Sequence, residues 1–337
     1  MRTHVRGALA PLVLMVLLGG GLGGAGCGSD AATSAPPRAD GGETDADPSG
    51  VDGGGGDSQG ALAPLTTVFT IVMENHDYQE IIPSDGGTGN APFINSLIAE
   101  YGLATNYMDS GTHPSLPNYL MMASGEVQYP GKVDLDPTIF PFPVKKENLG
   151  TQLEAKKVPW KSYQESMGTP CKLSSSGPYA PKHDPFLYFD DMQNGPNKLC
   201  ESTNVDYGSF PTDLAAGTFR FMWITPNLTS DGHDGKPPAA LATSDAWAKA
   251  EITKIMASDA YKNGGVIFLT WDEAEGRNGD SNDQIPMIVI SPRIVSKGFR
   301  SNKPYSHKSY LATVEDILGL PRLATVTAEP SMMEFFK

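Results

Sequence analysis

Thr66-Thr67-Val68-Phe69-Thr70-Ile71-Val72-Met73, followed at once by Glu74-Asn75-His76-Asp77, is the stretch on which the fold turns. Eight β-branched or apolar residues in a row leave no polar face. The run therefore reads as a strand covered on both sides. Similar runs recur at 219–224, 266–271 and 287–290. Between them lie helical patterns: 91–101, with Phe93, Ile94, Leu97 and Ile98 on one side; 116–123, after a Pro-Ser start; 239–258; and 306–318, ended by Gly319. Strands alternating with helices predict an α/β domain with a mostly parallel central sheet. Residues 126–215 are rich in Pro, Gly and aromatic side chains and read as an irregular insertion. No internal repeat is present.

In an open α/β sheet, ligands bind beyond the carboxyl ends of the strands. The first run ends in Glu74-Asn75-His76-Asp77 and the 266 run in Asp272-Glu273. The 219 run ends in Thr225-Pro226-Asn227 and continues to Asp231-Gly232-His233-Asp234. Carboxylate and amide oxygens suit a hard or borderline divalent cation, and added imidazole admits zinc, iron or manganese. Any one pair reads equally well as a helix cap or a turn. Three coincident strand ends favour the cation.

Gly111-Thr112-His113-Pro114-Ser115-Leu116-Pro117-Asn118-Tyr119 is the second element. Ser115 stands where a helix begins, and Pro117 suits a first turn. A helix start favours a bound phosphate, and a serine beside a cation there can act as a nucleophile. The plain alternative is that Ser115 is an N-cap.

The chain has 337 residues, enough for a sizeable core, and a net charge of -14. That balance argues against nucleic acid as a partner, because phosphate backbones recruit Lys and Arg. Between residues 28 and 62, seven acids stand against Arg38 alone, so the segment holds six of the net negative charges. Arg2 and Arg6, an apolar stretch over 8–18, and Gly24-Ala25-Gly26-Cys27 read as an export signal too short to span a bilayer. Small residues before a lone cysteine resemble a bacterial lipobox, although Gly24 stands where leucine is usual. Residues 1–27 are thus expected to be a lipoprotein signal with lipidated Cys27, the protein's only contact with the membrane. Residues 28–63 read as a disordered tether and 64–337 as the folded domain. Gly28 lacks the Asp that marks inner-membrane retention in some bacteria, which points an exported cell-envelope lipoprotein to the outer membrane or cell surface. Export puts Cys171 and Cys200 in an oxidising compartment, where they are available to each other for a disulfide; a two-Cys metal site is the alternative.

Met73-Glu74-Asn75, His113 to Tyr119, Trp160-Lys161-Ser162-Tyr163-Gln164-Glu165, Lys182-His183-Asp184-Pro185-Phe186, Thr225-Pro226-Asn227, Asp231 to Asp234, Trp271-Asp272-Glu273 and Tyr305-Ser306-His307 occur in that order. The ordered set, from about Thr66 to Phe336, resembles the bacterial and fungal phosphoesterase family of the alkaline phosphatase superfamily, which holds acid phosphatases and bacterial phospholipases C. The resemblance implies a three-layer α/β/α fold. It implies Ser115 as nucleophile and metal ligand, with Glu74, Asn75, Asp272 and Glu273 as the other ligands. Asn118, one helical turn on, is placed to hold a phosphate oxygen. His113, His183, His233 and His307 are implied as phosphate contacts or as the acid for the leaving alcohol; each has a structural alternative. His76 reads as structural. Gln284 stands where a histidine often precedes the strand at 285–290, so one divalent ion per chain is expected, with zinc, iron, manganese, magnesium and calcium all open. Asp231, His233 and His307 are the candidates for a second ion.

The expected reaction is hydrolysis of a phosphate monoester through a phosphoserine, because the chain is short like the acid phosphatases. A phospholipase C or other phosphodiesterase, acting on a phospholipid head group, is the alternative. A sulfatase is disfavoured, since Ser115-Leu116-Pro117-Asn118-Tyr119 has Tyr where a sulfatase motif needs Arg. A non-catalytic surface binding protein is the third reading; it predicts a damaged ligand set, whereas Glu74, Asn75, Ser115, Asp272 and Glu273 are all present.

Overall fold

A computed structural model describes residues 64–337 apart from 85–86, 88, 129–132, 142, 197–198 and 276–282. The expected signal, the expected lipidation site Cys27 and the expected tether lie outside the described residues. The described part belongs to one compact unit, Gln59–Lys337.

The opening run forms β1 (Thr67–Met73), buried at every position as a strand covered on both faces must be. The remaining strands are β2 (Gly102–Ala104), β3 (Tyr107–Met108), β4 (Trp160–Gln164), β5 (Asn204–Asp206), β6 (Phe221–Thr225), β7 (Gly265–Trp271), β8 (Met287–Ile290), β9 (Arg300–Ser301) and β10 (Tyr305–Ser306). Among the described residues they make a central sheet in the order β5-β4-β6-β1-β7-β8-β2-β9, with β3 and β10 paired apart from it. β1 lies parallel to β6, with Val68 opposite Phe221, and parallel to β7, with Thr67 opposite Gly265. β8 runs antiparallel to both β7 and β2, so the predicted mostly parallel sheet has one reversed strand.

The principal helices are α1 (Pro92–Glu100), α2 (Ser115–Ser124), α3 (Leu149–Ala155), α4 (Phe210–Ala216), α5 (Ala239–Ala257) and α6 (His307–Leu318). They pack in pairs, α2 with α6 and α1 with α5, which gives the α/β/α sandwich. Asp245 of α5 accepts the first amide protons of α1, from Phe93 at 3.1 Å and Ile94 at 2.8 Å, satisfying donors a helix start leaves bare. Tyr310 of α6 meets Thr70 of β1 at 2.6 Å and packs edge-on against Phe268 of β7. Gly125 ends α2 at φ 73°, and a Cβ there would sit 2.4 Å from Thr325 Oγ1, so glycine is required.

The segment 126–215 differs from the irregular insertion expected. It supplies α3, β4, β5 and α4, and β4 pairs parallel with β6 inside the main sheet. Its strands escaped notice because Trp160-Lys161-Ser162-Tyr163-Gln164 mixes polar residues into a buried strand, and those residues are satisfied by tertiary partners. Lys161 Nζ reaches Asp213 at 2.7 Å, and Gln164 Nε2 reaches Ser162 Oγ and Thr225 Oγ1. Cys171 and Cys200 form a disulfide with Cα atoms 5.3 Å apart, tying the loop after β4 to the short helix Leu199–Thr203 before β5. The two-Cys metal site is thereby set aside.

Candidate active site

Three parallel strands end side by side. Glu74 N–H donates to Asp231 O at 3.1 Å and Asp272 N–H to Met73 O at 3.0 Å, so the ladder itself gathers the acids that follow β1, β6 and β7. Asn75 N–H then donates to Asp272 Oδ1 at 3.1 Å, and Asn75 Nδ2 to Glu273 Oε1 at 2.9 Å. Glu74, Asp231, Asp272 and Glu273 are all buried.

Ser115 opens α2 after a loop that turns at Gly111, with φ 65°, and enters through a cis His113–Pro114 bond. Its Oγ donates to Glu74 Oε2 at 3.1 Å and also lies against Asp272. One turn on, Tyr119 OH donates to Glu74 Oε1 at 2.5 Å. Asn118 holds the loop and the cluster together. Its Oδ1 accepts from Ser110 N–H at 2.9 Å, while Nδ2 donates to Thr112 O and to Glu273 Oε2, each at 3.0 Å.

The histidines divide. His183 is buried, with Nε2 3.2 Å from Glu74 Oε2 and Nδ1 3.6 Å from Asp231 Oδ2, and its ring stacks on Tyr119. His233 is at the rim, 6.3 Å from His183 between ring centroids, with Nδ1 on Asp234 Oδ1 at 3.1 Å. His113 is 40 % exposed and places Nδ1 3.0 Å from Glu273 Oε2. His307 is placed otherwise than expected. It is fully buried, Nε2 lies 2.7 Å from the carbonyl of Asp272, and Nδ1 lies 3.1 Å from Tyr107 OH. With both ring nitrogens engaged, it cannot join Asp231 and His233 in a second ion site. Asp231 instead gathers with Glu74 and His183, whose ligand atoms lie within 4.8 Å of one another. Gln284 donates to Thr105 O at 2.8 Å and accepts from Tyr78 N–H, a structural post beside β3. His76 is buried with Nδ1 on Glu80 at 2.9 Å.

The electrostatics follow from crowding. Burial raises Asp272 and Asp231 well above the usual carboxylate range, and the charge of Glu74 pushes both further. Burial also works to raise Glu74, yet His183 and Lys182, with the Tyr119 hydroxyl, hold it down at about 2. Burial raises Glu273 while His113 draws it back. The hydrogen bond to Glu273 lifts His113 to about 9, so its imidazole is charged at neutral pH. Four carboxylates this close cannot all ionise without a cation among them.

The donor set fits such a cation. Asn75 Oδ1, Asp272 Oδ2 and Asp231 Oδ2 are buried with no hydrogen-bond partner. Orphaned buried polar atoms cost about 1–3 kcal/mol each, and three beyond neighbouring strand ends point to a common partner. Carboxylate, amide and hydroxyl oxygens are the donors a hard divalent ion takes.

Some site residues had no role assigned from sequence: Tyr119, Lys182 and Asp134. Tyr119 was within reach of sequence reasoning, since it lies four residues from Ser115 on one helix face. Asp134 sits in the insertion and comes to Leu116 N–H at 3.0 Å only through the tertiary fold.

A helix-start serine set on buried strand-end carboxylates lies at one edge of an α/β sandwich, the fold of a solved protein of the alkaline phosphatase superfamily. That protein, from Vibrio parahaemolyticus, superposes with a TM-score of 0.56 at 12% identity, covering 79% of this chain and 69% of its own, a likeness of fold. The chain belongs to the phosphoesterase family, whose pattern it matches over residues 87–321. It is a hydrolase acting on phosphoric ester bonds. A phosphatidylinositol-3-phosphatase of Mycobacterium tuberculosis is 29% identical over 278 residues, covering 82% of this chain and 84% of that protein. A probable acid phosphatase of Kluyveromyces lactis is also 29% identical, over 285 residues, but this chain spans only 62% of its length.

Proposed function

We propose that the protein is a metal-dependent phosphomonoesterase that works through a phosphoserine on Ser115. The observation that carries this reading is the Ser115 hydroxyl donating at 3.1 Å into a buried carboxylate cluster with orphaned ligand atoms. Glu74, Asn75, Ser115, Asp272 and Glu273 would hold one divalent ion, which supplies Lewis acidity and lowers the pKa of the serine hydroxyl.

The chain's own residues do the rest. Glu74 and Asp272 orient the Ser115 hydroxyl and take its proton as Oγ attacks. Oγ attacks phosphorus in line, the bond from phosphorus to the alcohol oxygen breaks, and the alcohol takes a proton from the His183–His233 pair. Water then attacks the phosphoserine and gives its proton to the same imidazoles, the bond from phosphorus to Oγ breaks, and Oγ takes its proton back from the carboxylate pair as inorganic phosphate leaves. His113, charged at the rim, attracts the anionic substrate.

The relatives support a monoester: both are phosphatases by name, one of them a phosphatidylinositol-3-phosphatase. The N-terminal sequence supports an exported lipoprotein whose tether presents this unit at the cell envelope. The test is hydrolysis of p-nitrophenyl phosphate by the full chain, before and after chelation, beside Ser115→Ala. Metal-dependent turnover that falls by about 10³-fold or more in Ser115→Ala is the expected result. A mutant as active as the wild type would sink the nucleophile.

A further inference from the structure

Lys182 has no part in the mechanism above. It precedes His183 in the single turn Pro181–His183, and its side chain is only 17 % exposed. Its ammonium pairs with Asp134 Oδ2, and Asp134 Oδ1 accepts the backbone N–H of Leu116 at 3.0 Å. One carboxylate thus ties the ammonium to the residue that follows Ser115. The acids of the cluster feel the same charge: it lowers Glu74 and works against the rise of Asp231, while Glu74, Asp134 and Asp272 raise the ammonium in turn. Burial works against the ammonium, but these neighbours raise it above the ordinary lysine range, so it stays charged.

This buried lysine is tied through Asp134 to the residue after Ser115 and adjoins His183, whose Nε2 lies 3.2 Å from Glu74 Oε2, so it stands at the edge of a site otherwise crowded with acids, where a phosphate on Ser115 would carry negative charge. A monoester dianion brings a second charged oxygen there. A diester brings a neutral alkoxy oxygen in its place. A hydrogen bond from an ammonium to a charged oxygen is about twice as strong as one to a neutral oxygen.

We propose that Lys182, held by Asp134 beside Ser115, contacts a peripheral phosphoryl oxygen and selects dianionic monoesters over monoanionic diesters. The inference rests on the reading of Ser115 as the nucleophile of a phosphoester hydrolase. The competing role is a structural ion pair that holds the 133–136 segment against α2; that role would affect both substrate classes alike.

The test compares wild type, Lys182→Met, Lys182→Arg and Ser115→Ala as full chains. Kinetics are measured on p-nitrophenyl phosphate and bis(p-nitrophenyl) phosphate. Calorimetry follows binding of inorganic phosphate and of dimethyl phosphate. Lys182→Met is expected to lower monoester kcat/KM by about 30-fold or more and diester kcat/KM by less than about 5-fold. It is expected to weaken phosphate binding and leave dimethyl phosphate binding unchanged, with Lys182→Arg recovering most of the monoester preference. Equal losses on both esters, or unchanged phosphate binding, overturn the proposal. Should Lys182→Met fail to fold, the double variant Asp134→Asn/Lys182→Gln leaves no unpaired charge and carries the same comparison. Full turnover by Ser115→Ala would refute the nucleophile separately, because the binding arm still reports on Lys182.

Discussion

At the scale of single residues, the site depends on how each acid is held. Glu74 lies 3.2 Å from His183 Nε2 and accepts hydrogen bonds from Tyr119 and Ser115, so it stays ionised while Asp272 and Asp231 are pushed up. Removing the Tyr119 hydroxyl leaves that buried carboxylate one donor short. Tyr119→Phe is expected to cost about 1–3 kcal/mol of stability and to lower kcat with little change in KM, read by urea melts and steady-state kinetics. His307 tests the opposite role. Its ring bridges Tyr107 OH and the Asp272 carbonyl inside the core, so His307→Leu strands two buried polar groups. Stability should fall by roughly 2 kcal/mol or more, while the pH–rate profile of the surviving activity keeps its shape. The disappearance of one limb of that profile would show that His307 titrates in the reaction, contrary to its placement.

At the scale of elements, the nucleophile depends on α2 and α6 packing together. α6 opens with Ser306 accepting from Lys308 N–H, and beyond its end the chain is clamped by Arg322, whose Nε and Nη2 reach Asp316 Oδ1 and Oδ2 at 3.0 and 2.7 Å. Burial works to raise Asp316, but the Arg322 hydrogen bond outweighs it and its pKa lies below the ordinary value. A depressed folded pKa contributes stability above the unfolded pKa and loses it as pH falls through the folded one. Asp316→Asn is therefore expected to cost about 0.5–1 kcal/mol at pH 7 and progressively less as pH falls below the ordinary carboxylate range, measured as the difference between two denaturation curves. A difference independent of pH would mean that the pair acts through packing alone. Element by element, the sequence was most legible where burial is two-sided. β1 and β7 are continuous apolar runs, and α6 ends in glycine. The strands of the insertion are hidden because β4 mixes in polar residues that are satisfied by Asp213, Thr225 and one another once the chain folds.

At the scale of the molecule, the fold collects acids at one sheet edge, and the net charge of -14 makes that edge costly without a counter-ion. A ligand that binds only the folded state stabilises it by mass action, about 2.7 kcal/mol at a hundred times Kd. Chelated protein should melt several degrees lower and recover on adding back the divalent ion that restores turnover, and Asp272→Asn should blunt both the shift and the activity. An unchanged melt with full activity in chelator would rule out a resident ion.

The sequence by itself determined the α/β layering, because a buried strand must be apolar on both faces, and it determined that Glu74, Asn75, Asp272 and Glu273 follow such strands. It also marked Ser115 as a helix start, since Pro117 fits only the first turn. Tertiary structure alone decided which histidines face the cluster. A histidine's sequence neighbours do not say whether its nitrogens will meet a carbonyl, as in His307, or a carboxylate, as in His183. It alone brought Asp134 to the residue after Ser115 and Lys182 to Asp134, because contacts between distant segments are set by packing and carry no local periodicity to read.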